Sequence, residues 1–353
     1  MSLPPERRRK LQELGLRALV KRRFGADVAA SARAVHFAAG AAVVGGQRGG
    51  GRLAAVFADS STALGSAIDT AHREGVDHLY FFAELNTRAV ARRAAEFTVT
   101  TTVVSPDGEF EALAPEHAER TRPVPAGLEE ASGRMSASGL DVVWEDGALI
   151  GEWLGLEVAR ANFDGEAPGG VAFDVGVGKH DREGNRMLYP RGPTDELIAH
   201  AVATVAELRR PEAGTHPASQ LVPERWLRAV VCRHPELVGL DTLRPAPPPE
   251  ARTDLRQRGV APAWGLGPGD QPFAVVCSVG GDPDLVPQAA DVRLHAPGWL
   301  DLPSSATAGP EAWQLVIAVP EGDDHPLTHR LVGLLRCPAT IVTVPRGWRS
   351  LDA

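Results

Sequence analysis

The residues best equipped for chemistry lie between Gly151 and Arg186. Glu152, Glu157, Asp174, Lys179, His180, Asp181 and Glu183 are threaded there between apolar runs, and Lys179 is the only lysine after Lys21. Carboxylates at the ends of adjacent strands are how a hard cation such as Mg²⁺ is held together with a substrate phosphate. Glu152, Glu157 and Asp174 are therefore candidate metal ligands. Glu152 and Glu157 are five positions apart, so on one straight strand they face opposite sides, and a bulge at Gly155 would bring them together. Lys179 could stabilise developing charge or lower the pKa of an attacking water. His180, with Asp181 or Glu183, could form an acid–base pair. The candidate catalytic set is Lys179, His180 and Glu157. A solvated β-surface tied by ion pairs accounts for the same residues, and KHDRE (179–183) also fits a charged turn. Gly176 and Gly178 weaken a strand and mark a close approach of backbone or ligand.

The surrounding elements would have to position these groups. LDVVW, ALIGEWLGLEVARA and VAFDVGVG read as three extended pieces, with a turn at EDG. A helix follows, capped by Thr194, with Asp195 and Glu196 at its positive end and Leu197, Ile198, Ala201, Val202, Val205 and Leu208 on its buried stripe. Upstream, Glu6 to Arg23 reads as a helix with Leu11, Leu14, Leu19 and Val20 on one side. Val35 to Val44 reads as a strand or hairpin, and GGQRGGG (45–51) as its flexible continuation. LAAVFA, HLYFFA and VTTTVV are strands, with intervening helices capped by Ser60, Ser61 or Thr62 and by Asn86 or Thr87. Residues 105–139 are polar and aperiodic, as in a linker. Downstream, ERWLRAVV is a helix and PAPPPE a stiff loop. FAVVCSV, WQLVIAV and ATIVTV are strands, with a helix over Leu285 to Leu294 and another from Pro326 to near Arg336.

This grammar predicts an α/β fold: two similar, mainly parallel β-α-β-α-β units flanking a central β-rich segment with one long helix. The units span 53–104 and 273–344, each preceded by a helix, and suggest an internal duplication. The expected domains are 1–110, a linker at 111–139, a central segment at 140–212 and a second α/β unit at 213–353.

Other motifs carry less. The glycine-rich 45–51 lacks both the GK[ST] ending of a P-loop and the GxGxxG spacing. Ser278 has no GxSxG elbow around it. His325 and His329 share the spacing of a zinc helix but not its glutamate. Asp282 and Asp284 in GGDPDLVP suit an acidic loop or a helix cap. Cys232, Cys277 and Cys337 form no CxxC pair, which argues against a disulfide framework or zinc knuckle. The net charge of −8 is unlike that of a nonspecific nucleic-acid binder, although a local basic face is compatible with it. Only three of the 37 basic residues are lysines. No apolar run approaches the ~18–20 residues that span a bilayer, and the N-terminus lacks a signal-peptide core. The expectation is a cytoplasmic protein with no membrane partner, and an oligomer is compatible with the sequence.

The C-terminal third resembles the restriction-endonuclease-like PD-(D/E)XK superfamily. The resembling parts are a helix carrying Glu224, the stretch WGLGPGDQP, the strand FAVVCSV and the helix with DLVPQAADVRL. The resemblance implies Glu-x-Lys or Asp-x-Lys on that strand, but the equivalent positions hold Cys277 and Val279. VFADSS in the first unit lacks the signature as well, so both units would be degenerate. Asp174 and Lys179 do not have its spacing. The whole chain also resembles a group of proteins from high-GC bacteria, a likeness that implies no activity.

Three functions are compatible with these readings. The first is a Mg²⁺-dependent enzyme acting on nucleic acid or another phosphate-containing ligand, which requires Glu152 or Glu157, Asp174 and Lys179 to converge. The second is a non-catalytic binding or assembly protein built from degenerate nuclease-like units, which expects an exposed apolar patch. The third is a small-molecule enzyme using Lys179 as base or Schiff-base nucleophile, which requires apolar walls around that lysine.

Overall fold

The computed structural model describes residues 5–37, 40–46, 52–58, 63–83, 86–104, 126–167, 170–189, 194–210, 220–250, 259–299, 302 and 309–351. It is a mixed α/β protein with three sheets. Two compact units emerge, and neither is contiguous in sequence. The first comprises 1–118, 282–291 and 325–339, and the second 119–281, 292–324 and 340–353.

The first unit opens with α1 (Pro5–Phe24) and α2 (Ala26–Ser31). The buried side of α1 is carried by Leu16 and Val20, while Leu11 and Leu14 are exposed, so the stripe is rotated from the expected one. Five strands follow: β1 (Arg33–Phe37), β2 (Gly40–Gly46), β3 (Arg52–Ala58), β4 (His78–Ala83) and β5 (Thr101–Val104). Helix α3 (Leu64–Arg73) connects β3 to β4, and α4 (Thr87–Ala95) connects β4 to β5. The sheet runs β1-β2-β3-β4-β5. A hairpin pairs β1 with β2, β2 is antiparallel to β3, and β3, β4 and β5 are parallel. Apolar runs such as Leu79, Phe81 and Phe82 are fully buried, as parallel strands covered by helices require.

The cap expected at Asn86 is not made by its side chain. Asn86 occupies the N-cap of α4 at φ 52° without a side-chain cap bond, and Ser60, Ser61 and Thr62 lie outside the described residues, as does most of 45–51. The first turn of α3 is instead served from 219 positions away, where the Asp284 carboxylate accepts from the Gly65 amide at 2.7 Å. This satisfies an orphan donor at the start of the helix.

The second unit begins with α5 (Glu129–Ala137), which buries Ala131 and Met135 within the stretch expected to be a linker. Its first sheet holds four strands where three were expected: β6 (Asp141–Glu145), β7 (Ala148–Trp153), β8 (Leu156–Phe163) and β9 (Val171–Val175), all antiparallel in sequence order. The turn between β6 and β7 is Asp146-Gly147, with φ 51° and 75°. The extra turn is Leu154-Gly155, with φ 48° and 74°, so both have the positive-φ pair of a two-residue hairpin. Leucine in this conformation costs roughly 1–2 kcal/mol. Its side chain is 6% exposed, buried among Trp226, Leu227 and Val230, and that burial offsets the strain.

KHDRE does not close a strand. It begins α6 (Lys179–Leu188), preceded by Gly178 at φ 94°. Helix α7 (Asp195–Leu208) is capped as expected, Thr194 Oγ1 accepting from Leu197 N. Helix α8 (Pro223–Arg233) leads to a second five-stranded sheet, β10 (Arg244–Pro245), β11 (Ala261–Leu266), β12 (Pro272–Cys277), β13 (Gln314–Pro320) and β14 (Ala339–Val344), in that order. β10, β11 and β12 are antiparallel, and β12 and β13 are parallel. Helix α9 (Leu285–His295) follows β12, and α10 (Pro326–Val332) follows β13 and stops short of Arg336; α10 and residues 285–291 of α9 belong to the first unit. Trp226, Leu227, Val230 and Val231 of α8 pack on Ala263, Val275 and Val316 of this sheet.

Burial pushes the Asp284 carboxyl up to about 7, against the opposing amide hydrogen bond of Gly65. An acid raised on folding makes the protein lose stability as pH climbs from its ordinary 3.8 to about 7, and hold that lower level above. Asp284→Asn keeps an acceptor for Gly65 and removes the ionisation. The variant should melt like wild type near pH 4 and higher than wild type at pH 8. Curves that run parallel across this range would contradict the assignment.

Candidate functional site

The central hairpin places Glu152 two residues before the Leu154-Gly155 turn, and that turn meets the start of α8. A Cβ on Gly155 would fall on the backbone of Arg225 and Trp226, so only glycine allows this approach. Glu152 is 0% exposed. It accepts from Arg225 Nη1 at 2.5 Å and, through its other oxygen, from Arg228 Nη2. Arg225 Nη2 also reaches both oxygens of Glu145, each at 2.8 Å. Arg225 and Arg228 lie three apart on α8 and so share one face. Burial pushes the Glu152 carboxyl up, but the guanidiniums of Arg228 and Arg225 outweigh it and leave the group below its ordinary value. Beside this network, Arg209 and Arg349 stand 4.6 and 5.4 Å from the Trp226 ring centroid. Burial and the Arg349 charge push Arg209 down to about 10.

The other predicted carboxylates are engaged separately. β7 and β8 are opposed strands of a hairpin, in which Glu152 and Glu157 are cross-strand partners next to a register shift at Gly151/Glu152. The two were thus brought opposite by a turn and not by a bulge at Gly155. Glu157 nevertheless pairs with Arg160 at 2.8 Å and Arg182 at 2.9 Å. Asp174 on β9 is a two-pronged acceptor for Arg186 of α6. Lys179 starts α6, and its side chain lies outside the described residues. His180 is 99% exposed, its Nδ1 3.9 Å from Glu183. Among the described residues, no three His, Cys, Asp or Glu side chains gather where they could hold a metal ion. His325 caps α10, its Nδ1 accepting from Leu327 N at 3.1 Å. Cys277 is buried, and burial pushes its thiol up to about 12, far from a reactive thiolate.

A cavity that the sequence did not reveal lies elsewhere in the second unit. It has a volume of about 340 Å³ and is lined by Trp144 of β6, Arg244 and Pro245 of β10, Pro247, Trp264 of β11 and Trp299. That size falls in the range of roughly 300–1,000 Å³ typical of ligand pockets. β6 and β10 are edge strands of two different sheets, so the cavity lies where two sheet edges meet. Arg244 lies 5.7 Å from the Trp264 ring centroid, and Trp299 is held edge-on against Trp313 at 5.6 Å. Three of the chain's seven tryptophans thus meet at one groove. The signal in sequence was slight: the stiff PAPPPE loop, Trp144 at the end of LDVVW and Trp264 at the start of the glycine-rich WGLGPGDQP.

Comparison with family models, curated proteins and solved structures finds no match to the chain.

Glu152 is the most deeply buried of the arginine-paired carboxylates in the second unit. Glu152→Gln leaves two buried guanidiniums undercompensated and should lower stability by about 3–5 kcal/mol. Because its folded pKa lies below the ordinary 4.5, the wild-type contribution is complete above that value and lost as pH falls through the folded pKa. The difference in denaturant midpoint between wild type and variant should therefore be constant from pH 6 to 8 and shrink below pH 4.5. A variant as stable as wild type at pH 7 would refute this role.

Proposed function

We propose that this chain is a non-catalytic binding protein, built from two copies of one α/β unit, whose ligand site is the tryptophan-lined groove between the β6 and β10 edges. The observation that carries the reading is the groove itself. It combines aromatic walls, rigid prolines, an exposed guanidinium and two strand edges, and so suits an extended peptide segment of a partner protein. A strand added along β6 would extend the four-stranded sheet at its edge, with the half-buried Trp144 in contact and the buried Trp264 and Trp299 forming a rigid wall behind it.

Several features favour binding over catalysis. Glu145, Glu152, Glu157 and Asp174 all spend their charge on arginines. Metal binding by them would have to displace guanidiniums, one of them almost wholly buried. The net charge of −8 also disfavours a phosphate-rich partner. The two-copy reading is supported by element order, β3-α3-β4-α4-β5 matching β12-α9-β13-α10-β14, each in a sheet of sequential strand order. The nuclease-like resemblance fits this reading in degenerate form, since β12 carries buried Cys277 where a carboxylate would be needed.

The test is selection of ten-residue peptides from a displayed random library on the full-length protein, followed by titration of synthetic copies. Selected peptides should lose at least tenfold affinity for Arg244→Glu, an exposed substitution that leaves the melting temperature unchanged. They should also quench tryptophan fluorescence. Failure to enrich any peptide, or binding indifferent to Arg244→Glu, would contradict the proposal.

A further inference from the structure

Inside the first unit, helices α3 and α4 meet α10 and the 285–291 part of α9 through contacts that occur twice. Arg330 Nε and Nη2 donate to Asp69 Oδ1 and Oδ2 at 2.7 and 3.4 Å. Arg92 Nε and Nη2 donate to Asp291 Oδ1 and Oδ2 at 2.6 and 3.1 Å. The donor atoms, acceptor atoms and prong order are the same. Asp69 lies midway along α3 and Asp291 midway along α9, while Arg92 and Arg330 stand near the ends of α4 and α10.

Just beyond those ends, Phe97 and Leu335 form an isolated antiparallel bridge. The bridge is flanked by two mirrored bonds, Thr98 N to Leu334 O and Arg336 N to Glu96 O, both 2.8 Å. Arg92 and Arg330 each precede the bridge residue by five positions, and β5 and β14 each begin four positions after it. Each half of the contact thus presents an aspartate, an arginine and a strand-like segment, and each finds its complement in the other. This is the isologous pattern of a two-fold interface, in which residue i meets j and j meets i.

We infer that the face made by α3, α4 and residues 96–98 is self-complementary and pairs with a second copy of itself when its partner within the chain is withdrawn. Asp69 of each chain would meet Arg92 of the other, because Arg330 and Asp291 occupy the places that Arg92 and Asp69 would take. The counterpart face of α9 and α10 has the same property through Asp291 and Arg330. The inference rests on the two-copy reading and is independent of the groove. The copies have diverged around these pairs: Asp291 also accepts from Arg93 at 2.9 Å and is fully buried, whereas Asp69 has Arg73 at 3.7 Å and its partner Arg330 is more exposed than Arg92.

The test uses full-length chains and light scattering. Asp291→Arg with Arg330→Asp sets like charges against each other across the contact within the chain but leaves each face able to pair with its own copy. This double variant should show twice the wild-type mass at micromolar concentration, with a native circular dichroism spectrum. Adding Asp69→Arg, Arg92→Asp and Arg93→Asp restores opposite charges at every pair across the contact within the chain and should return the mass to that of wild type. A folded double variant of wild-type mass overturns the inference. If the double variant does not fold, a gentler variant decides. Leu334→Glu, Leu335→Phe and Arg336→Thr copy the residues at 96–98 onto the second half. Wild-type melting behaviour for this chain supports quasi-equivalent faces, and loss of the fold overturns the two-copy reading on which the inference stands.

Discussion

A carboxylate that has left water entirely governs the second unit. Glu152 has no exposure, and two guanidiniums three residues apart on α8 replace its solvent. Desolvating such an ion costs several kcal/mol, which only near-ideal geometry returns. The surrounding features follow from holding that geometry. Leu154 accepts a left-handed backbone so that the hairpin can turn at the right residue. Gly155 lacks a Cβ so that α8 can approach. Glu145 takes the remaining prong of Arg225, completing a chain of alternating charge from β6 to α8. The same demand explains the choice of arginine over lysine, since a planar fork serves two carboxylates at once and a point charge does not.

Elements whose local signals agree were legible in the sequence, and those set by distant partners were not. The apolar runs of β3, β4, β12 and β13 and the capped α7 stand as read, because periodicity and cap chemistry act over a few residues. The turn at Leu154-Gly155 was hidden because leucine is not a turn residue; its conformation is decided by a core built from residues some seventy positions later. Helix α6 was hidden by its two preceding glycines, which look like strand interruptions and in fact carry φ values of 147° and 94°. The helix α5 lies in polar sequence and is fixed by burying only Ala131 and Met135. Of the candidate site, the residue types were visible but their partners were not. Sequence spacing brought Glu152, Glu157 and Asp174 to notice, whereas Arg225, Arg228, Arg182 and Arg186 decide their state. The groove was the least legible feature, since it is made where two sheet edges meet and no short window contains both.

In the second unit, ionisable groups hold the elements that line the groove, with Trp264 and Trp299 buried behind it and Trp144 half-buried at its edge. The buried anions fix α8, α8 supports the second sheet, and that sheet carries β10, β11 and hence Arg244, Pro245 and Trp264. Trp144 comes from the hairpin that Glu152 anchors. Both walls of the groove therefore depend on the same ion-pair network, which holds them in place without a ligand, as the proposed binding role requires.

The central claim is that the carboxylates of the β7–β9 region are structural anions neutralised by arginine. Melting temperature measured with and without millimolar Mg²⁺ or Mn²⁺, for wild type and Asp174→Asn, tests it most directly. Neither metal should raise the melting temperature, and Asp174→Asn should melt lower than wild type because Arg186 loses its buried partner. A metal-dependent rise in wild type, corresponding to about 2.7 kcal/mol at a hundredfold excess over Kd and abolished by Asp174→Asn, would contradict it.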